Sequence, residues 1–229
     1  MPETNKEALM KTIIFDLDGT LVNTSGDLIA AANFCFIDMG YGALLDPERD
    51  APTALRGGRA MLSLGLSRVD DLDQAVIDRY YPRLLEAYDQ SIAKHSYLFP
   101  SVRQVIQQLN NAGFLLGICT NKPEALAEKL MHALKFRDPF LSLIGADTVS
   151  SRKPNPMPFF EAVYRVGGIP ERSCLVGDSV TDFDTACAAG VPSILVDFGF
   201  ATQDLAMLQP VSLITHFDQL EATLNKLQL

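Results

Sequence analysis

Residues 12–20 read Thr12-Ile-Ile-Phe-Asp16-Leu-Asp18-Gly-Thr20, a short apolar run that breaks directly into two aspartates and a glycine. An apolar run of this length, bounded by turn residues, is the pattern of a buried strand. The same shape recurs at residues 114–119, 141–144, 174–176 and 193–196. Between these runs, residues 101–112, 123–134, 157–166 and 182–189 carry apolar positions at helical spacing, with Pro near several starts and Gly113, Gly167 and Gly190 just past the ends. Strands alternating with helices predict an α/β fold, a doubly wound parallel sheet covered on both faces.

The alternation lapses after the first strand. Residues 22–97 show mainly helical patterning, over 27–39 and 70–93, and no buried strand. The expected organisation is a core formed by residues 1–21 and 98–229, with residues 22–97 inserted as a smaller helical domain. An insertion after the first strand would hang over the carboxyl ends of the sheet, where open α/β sheets gather their ligands. A chain of 229 residues can bury one full core and a modest second one, which fits that division.

Composition excludes several classes. With 48 % apolar and 21 % charged residues and no low-complexity run, the chain reads as an ordered globular protein. A net charge of −9 argues against a nucleic-acid partner, since such binding rests on Lys and Arg neutralising phosphates. No stretch approaches the roughly 20 apolar residues a membrane span needs, and the N-terminus lacks the apolar core of a signal peptide. A cytoplasmic protein, monomer or homodimer, is expected. Cys35, Cys119, Cys174 and Cys187 lie in apolar segments with no CxxC, so they read as reduced core thiols.

Four polar clusters sit at or after strand ends: Asp16-Leu-Asp18-Gly-Thr20, Thr120-Asn121-Lys122-Pro123, Ser151-Arg152-Lys153-Pro154 and Gly177-Asp178-Ser-Val-Thr-Asp182. Any one of them could be an ordinary turn; the combination points to chemistry. Two carboxylates two residues apart can diverge in a turn, one acting as a nucleophile toward phosphorus and the other passing a proton to the leaving oxygen. A carboxylate is already ionised at neutral pH, so Asp16 needs no base. It needs relief from repulsion by an anionic phosphate, which a divalent cation supplies. Asp16, the backbone carbonyl of Asp18, and Asp178 would give a partial oxygen set suited to magnesium, Mg2+. Lys153 and the donors of Thr120 and Asn121 would hold the remaining phosphate oxygens.

Competing readings fail on the same letters. An EF-hand loop opening at Asp16 needs Gly at its sixth position and Glu at its twelfth, where this chain has Leu21 and Asp27. A serine esterase opening on Gly177-Asp-Ser needs a DxxH pair, and none of His95, His132 or His216 has Asp three residues before it. No GxxxxGK[ST] or GxGxxG is present.

Taken in order, DLDGT, TNKP, RKPNP and GDSVTD resemble the four motifs of the haloacid dehalogenase-like hydrolase superfamily, over nearly the whole chain. The flanking residues are similar to its phosphoglycolate phosphatase group: Leu21-Val-Asn-Thr-Ser-Gly-Asp27-Leu, Phe99-Pro100-Ser-Val, Lys153-Pro-Asn-Pro-Met-Pro158, Ala188-Ala-Gly190 and Phe198-Gly199-Phe200. The resemblance implies a sheet of order 5-4-1-2-3, a small helical cap domain after strand 1, and a magnesium-dependent phosphatase acting on a small phosphorylated metabolite such as 2-phosphoglycolate. It implies Asp16 as nucleophile, Asp18 as acid/base, Thr120 and Asn121 as phosphate binders, Lys153 as the clamp on phosphate and nucleophile, and Asp178 as a metal ligand. Asp182 has open readings: support behind the metal ligands, orientation of Lys153, or N-cap of the following helix.

The loop Leu55-Arg56-Gly-Gly-Arg59 is either the substrate-facing loop of the cap, with Arg56 pairing a second carboxylate, or an ordinary solvated loop. The chain departs from the group at Asn23, usually Asp, and in the cap loop, more often GxGA. Both changes bear on the carboxylate-binding end and leave the chemical groups in place. A sugar-phosphate mutase on the same fold is the nearest rival, but no histidine follows the first motif; a phosphonate hydrolase would need a cap lysine, and Lys94 stands only at its end. A non-catalytic binding protein would not need every catalytic position filled.

Overall fold

The structure, a computed structural model, describes residues 11–198 and 204–227; Gly199 and Phe200 of the closing motif lie outside the described residues. Among the described residues the strands are β1 (Thr12–Phe15), β2 (Val22–Asn23), β3 (Tyr97–Leu98), β4 (Leu115–Cys119), β5 (Ser142–Ile144), β6 (Ser173–Gly177), β7 (Ser193–Val196) and β8 (Ser212–Ile214). The α-helices are α1 (Ser25–Asp38), α2 (Ala51–Ala54), α3 (Gly58–Ser67), α4 (Gln74–Gln90), α5 (Val102–Asn111), α6 (Glu124–Ala133), α7 (Met157–Arg165), α8 (Val180–Ala189) and α9 (Leu220–Lys226). They pack as two units, one of residues 11–21, 99–198 and 204–227, the other spanning Val22–Leu98.

The larger unit is an α/β fold built on a parallel sheet of order β5-β4-β1-β6-β7-β8. Its first five strands stand in the 5-4-1-2-3 order expected. β8 adds a sixth at the outer edge, pairing Ile194 with Ser212 and Val196 with Ile214. Only one of its three residues is buried, so it carries little of the apolar signal that marks a central strand. β1 is buried throughout, and its side chains divide between the two faces. Ile14 joins Cys119, Ile144, Leu175, Phe159, Val163 and Ala186, a core supplied from α7 and α8. Phe15 packs against Phe140 and Phe217, with ring centroids 6.1 and 6.2 Å away.

Register brings the polar clusters together. Phe15 sits opposite Ile118 of β4 and Val176 of β6, so the carboxyl ends of all three strands open at the same end of the sheet within one residue of each other. The ladder continues one step further, where the Asp16 N–H donates to Val176 O at 2.8 Å and the Thr120 N–H to Ile144 O at 2.9 Å. Gly190 ends α8 in the left-handed region at φ 69°, a conformation that glycine adopts without a Cβ clash.

The smaller unit is helical, as the periodicity predicts, with one difference: its ends pair as a short antiparallel ribbon, Val22 with Leu98 and Asn23 with Tyr97. The Asp27 carboxylate ties the start of α1 to the approach of β3, accepting from the N–H groups of His95 (2.8 Å) and Ser96 (2.9 Å) and from the Ser96 hydroxyl (2.5 Å). α4 starts at Gln74, later than residue 70, because Asp73 accepts from the Ala75 N–H at 2.9 Å and caps it there. The stretch read as a loop from Leu55 to Arg59 is shorter than expected, since α3 begins at Gly58 and takes Arg59 into its first turn. Arg59 pairs with Asp78 and lies 4.6 Å from the Tyr81 ring centroid, whereas Arg56 is exposed with no ion pair among the described residues.

Buried Asp50 is held by Arg68 at 2.6 and 2.7 Å, and this guanidinium keeps its carboxyl well below the usual carboxylate range. Because the folded pKa is depressed, the stabilisation is present above the unfolded value of about 3.9 and is lost as pH falls below it. Arg68→Ala should cost about 2–3 kcal/mol in urea unfolding at neutral pH, less than a fully buried pair because Arg68 is 28 % exposed. The difference between the variant and the parent should shrink in acid; a constant difference down to low pH would contradict the assignment.

One expectation is corrected outright. Cys35, Cys119 and Cys174 are buried free thiols, but Cys187 is exposed on α8, because the helix turns that position away from the sheet. Among the described residues, no helix is long and apolar enough to cross a membrane.

Candidate active site

The site is built from four strand-end loops of the larger unit, and its centre is a buried lysine. Lys153 Nζ donates to Asp16 Oδ1 at 2.7 Å and to Asp182 Oδ1 at 2.6 Å. Burial alone would lower the Lys153 pKa, but Asp16 and then Asp182 more than offset it and raise the value, so the ammonium stays charged. Its main chain is placed by Asn121, whose Nδ2 donates to Lys153 O at 3.0 Å.

Around this lysine the carboxylates are crowded. One oxygen from each of Asp16, Asp178 and Asp182 lies within 4.8 Å of the others. Fully ionised, the three carboxylates would leave two negative charges without a counterpart among the described residues, since one ammonium stands against them. Burial first, and then the Asp182 and Asp18 charges, push the Asp16 carboxyl up to about 7 against the pull of Lys153. Asp178 is raised too, by burial and then by Asp16 and Asp182. Oxygen donors carrying surplus negative charge in a confined space suit a hard divalent cation such as magnesium.

The Asp182 carboxylate has both oxygens committed. Oδ1 takes Lys153, while Oδ2 accepts from Asp178 N at 3.2 Å, Ser179 N at 3.1 Å and Ser179 Oγ at 2.5 Å. Ser179 is the N-cap of α8 and Asp182 the third helical residue of a capping box. The N-cap reading of Asp182 is thus corrected by three positions, and the orientation of Lys153 is carried by the same side chain. Gly177 is required here, since a Cβ on it would fall 2.3 Å from that of Asp182.

The first loop is shaped by close approach. Gly19 has φ 89°, and a Cβ on it would sit 2.3 Å from Asp178 Oδ2, so no other residue fits. Thr20 Oγ1 donates to Asp178 Oδ1 at 2.9 Å. Neither Gly19 nor Thr20 stood out as a site residue in sequence, although both lie in the quoted motif.

The Asp18 side chain is held by a second lysine. Both its oxygens accept from Lys122 Nζ, at 3.0 and 3.1 Å. Lys122 is the functional candidate that sequence reasoning passed over; the available signal was a lysine directly after a buried strand and before Pro123. Thr120 is buried, and its Oγ1 accepts from the Lys122 N–H at 3.1 Å, which leaves its own hydroxyl hydrogen to donate. Cys119 is inert as a nucleophile, its thiol pushed up to about 12 by burial. Arg56 belongs to the helical unit.

A family model for haloacid dehalogenase-like hydrolases matches residues 13–196, a span that contains every residue of this site. The chain belongs to the haloacid dehalogenase-like hydrolase family. Within that family its curated relatives include a phosphoglycolate phosphatase of Mesorhizobium japonicum, 38 % identical over 213 residues that cover 93 % of each chain. A phosphoglycolate phosphatase of Xylella fastidiosa is 35 % identical over 88 % of this chain and 86 % of its own. The fold recurs in the crystal structure of a predicted phosphoglycolate phosphatase from Haemophilus somnus, with a TM-score of 0.81 and 23 % identity over 93 % of this chain and 97 % of that one. CbbY from Rhodobacter sphaeroides, solved in complex with phosphate, matches with a TM-score of 0.74 and 23 % identity over 95 % of this chain and 100 % of its own. This haloacid dehalogenase-like hydrolase is a phosphoric monoester hydrolase of the phosphoglycolate phosphatase-like group.

Proposed function

We propose that the enzyme hydrolyses 2-phosphoglycolate or a similar small phosphate monoester with magnesium, through an aspartyl-phosphate on Asp16. The observation that carries this reading is the Lys153 ammonium lodged between Asp16 and Asp182, with the Asp178 carboxyl beside them, three acidic groups against one base. Asp16 and Asp178 would hold the cation, since both Asp182 oxygens are already engaged. When bound, magnesium would supply charge neutralisation between the carboxylate nucleophile and the phosphate oxygens.

The remaining work falls to the chain. Asp16 attacks phosphorus as the bond to the leaving oxygen breaks, and Asp18 protonates that oxygen. In the second half Asp18 takes a proton from water as the water oxygen bonds to phosphorus and Asp16 is released. An ammonium has three donors, and Lys153 spends two on Asp16 and Asp182, so the third is available to a phosphate oxygen. The Thr120 hydroxyl and the second Asn121 amide hydrogen add donors.

The substrate assignment is supported by the phosphoglycolate phosphatase relatives and by Arg56, whose exposed guanidinium has no ion pair among the described residues and can pair a substrate carboxylate. A panel of phosphorylated metabolites with Mg2+, scored for inorganic phosphate and for isomerised sugar phosphate, tests the reading. The highest kcat/KM should fall on 2-phosphoglycolate, and Arg56→Ala should raise its KM by about tenfold while leaving an aryl phosphate unaffected. Isomerisation without net phosphate release, or a preference for substrates lacking a carboxylate, would overturn the assignment.

A further inference from the structure

We propose that Lys122 is a positioning residue for proton transfer, aiming the Asp18 carboxylate at the leaving oxygen. The inference rests on the phosphatase reading and goes beyond it in assigning work to a group outside the nucleophile's own contacts. Lys122 is the second buried lysine of the site, its side chain 5 % exposed, and its Nζ spans both oxygens of Asp18, whose side chain is 16 % exposed. A surface ion pair of two mobile chains would position nothing. This one is anchored at its base.

The Lys122 N–H donates to Thr120 Oγ1 at 3.1 Å, and Lys122 O accepts from Ala146 N at 2.9 Å. Two residues on, Glu124 N donates to Asp147 Oδ1 at 2.8 Å, and the Glu124 carboxylate accepts from the Thr148 hydroxyl. The backbone carrying Lys122 is therefore pinned to both the Thr120 loop and the loop after β5. A side chain that starts from a fixed backbone and ends on both oxygens of one carboxylate fixes that carboxylate in turn. Geometry of this kind governs proton transfer, because the acid must lie within hydrogen-bond reach of the oxygen it protonates.

The step affected is the first half-reaction. As the Asp16–phosphorus bond forms, the phosphorus–oxygen bond to the leaving group breaks, and that oxygen takes the proton from the Asp18 carboxyl. One Asp18 oxygen can carry the proton while the other still accepts from Lys122. An alkyl leaving group requires this proton, whereas a nitrophenolate departs without it.

Single-turnover release of the leaving group, with Mg2+ saturating, tests the proposal. Lys122→Met, which keeps the length of the chain and removes the donor, should slow release from 2-phosphoglycolate or glycerol phosphate by on the order of 10^2-fold, but from p-nitrophenyl phosphate by less than about tenfold. In an Asp18→Asn background it should add no further loss on the alkyl ester. Equal losses on alkyl and aryl esters, or losses that add to those of Asp18→Asn, would overturn the positioning role and leave the phosphatase reading standing. An unsubstituted enzyme that turns over no phosphate ester would overturn both. If Lys122→Met does not fold, Lys122→Gln, which keeps a polar side chain but is too short and uncharged to span both Asp18 oxygens, carries the same comparison: a selective loss on alkyl esters supports the proposal, and a uniform loss or none overturns it.

Discussion

Asp16→Asn should lower turnover of any phosphate monoester by on the order of 10^4-fold or more, because an amide oxygen is a poor nucleophile toward phosphorus. The substitution is close to isosteric, so the effect should be confined to chemistry. Lys153 would retain its bond to Asp182 at 2.6 Å, which keeps the ammonium from becoming an orphaned buried charge. The change also removes one carboxyl from a crowded acidic cluster whose ionisation is opposed by its neighbours. The metal-free variant should therefore melt no lower than the parent. Steady-state phosphate release and a thermal melt on the same sample check both halves. Persistent turnover in a pure sample, or a collapse in stability, would show that Asp16 serves the fold and not the reaction.

Chelation should abolish activity, with magnesium restoring it, and Asp178 should control the concentration required. Asp178 contributes a carboxylate within 4.8 Å of those of Asp16 and Asp182, while Thr20 holds one of its oxygens. Asp178→Asn removes one of the three carboxylates that a cation would neutralise. It should raise the Mg2+ concentration for half-maximal rate by on the order of 10^2-fold, as the loss of groups at a metal site does. Stability supplies a second readout independent of catalysis. Without metal, Asp178→Asn should melt higher than the parent because like-charge repulsion is relieved. Added Mg2+ should raise the melting temperature of the parent and scarcely move the variant. A parent whose melting is indifferent to Mg2+ would remove the cation from the mechanism.

Much of this architecture is legible in the residues alone, for a physical reason. Strands covered on both faces must be apolar throughout, so β1, β4, β6 and β7 stand out as short apolar runs, and the alternation with helices then dictates a parallel sheet. β8 has one buried residue in three and lacks that signature. Asp16, Asp18 and Asp178, proposed to carry the chemistry, are legible because an apolar strand that runs straight into charge has few structural reasons to do so.

Side chains whose role depends on a distant partner are not legible in the same way. Gly19 is required because Asp178 occupies the space its Cβ would need, and nothing near Gly19 in sequence indicates this. Lys122 stands in a quoted polar cluster with no role of its own until its Nζ is seen on Asp18. Asp182 illustrates a further limit: capping and lysine orientation compete as readings of one residue, yet a carboxylate has two oxygens, and each takes one of the tasks.

In the proposed mechanism the phosphoryl group passes through Asp16. Acid quenching of the enzyme during steady turnover with 2-phosphoglycolate and Mg2+, followed by peptide mass analysis, addresses it most directly. The expected result is a peptide heavier by one phosphoryl group with the modification on Asp16, absent from Asp16→Asn. Turnover with no such adduct when the quench is faster than its breakdown, or an adduct on a different residue, would contradict it.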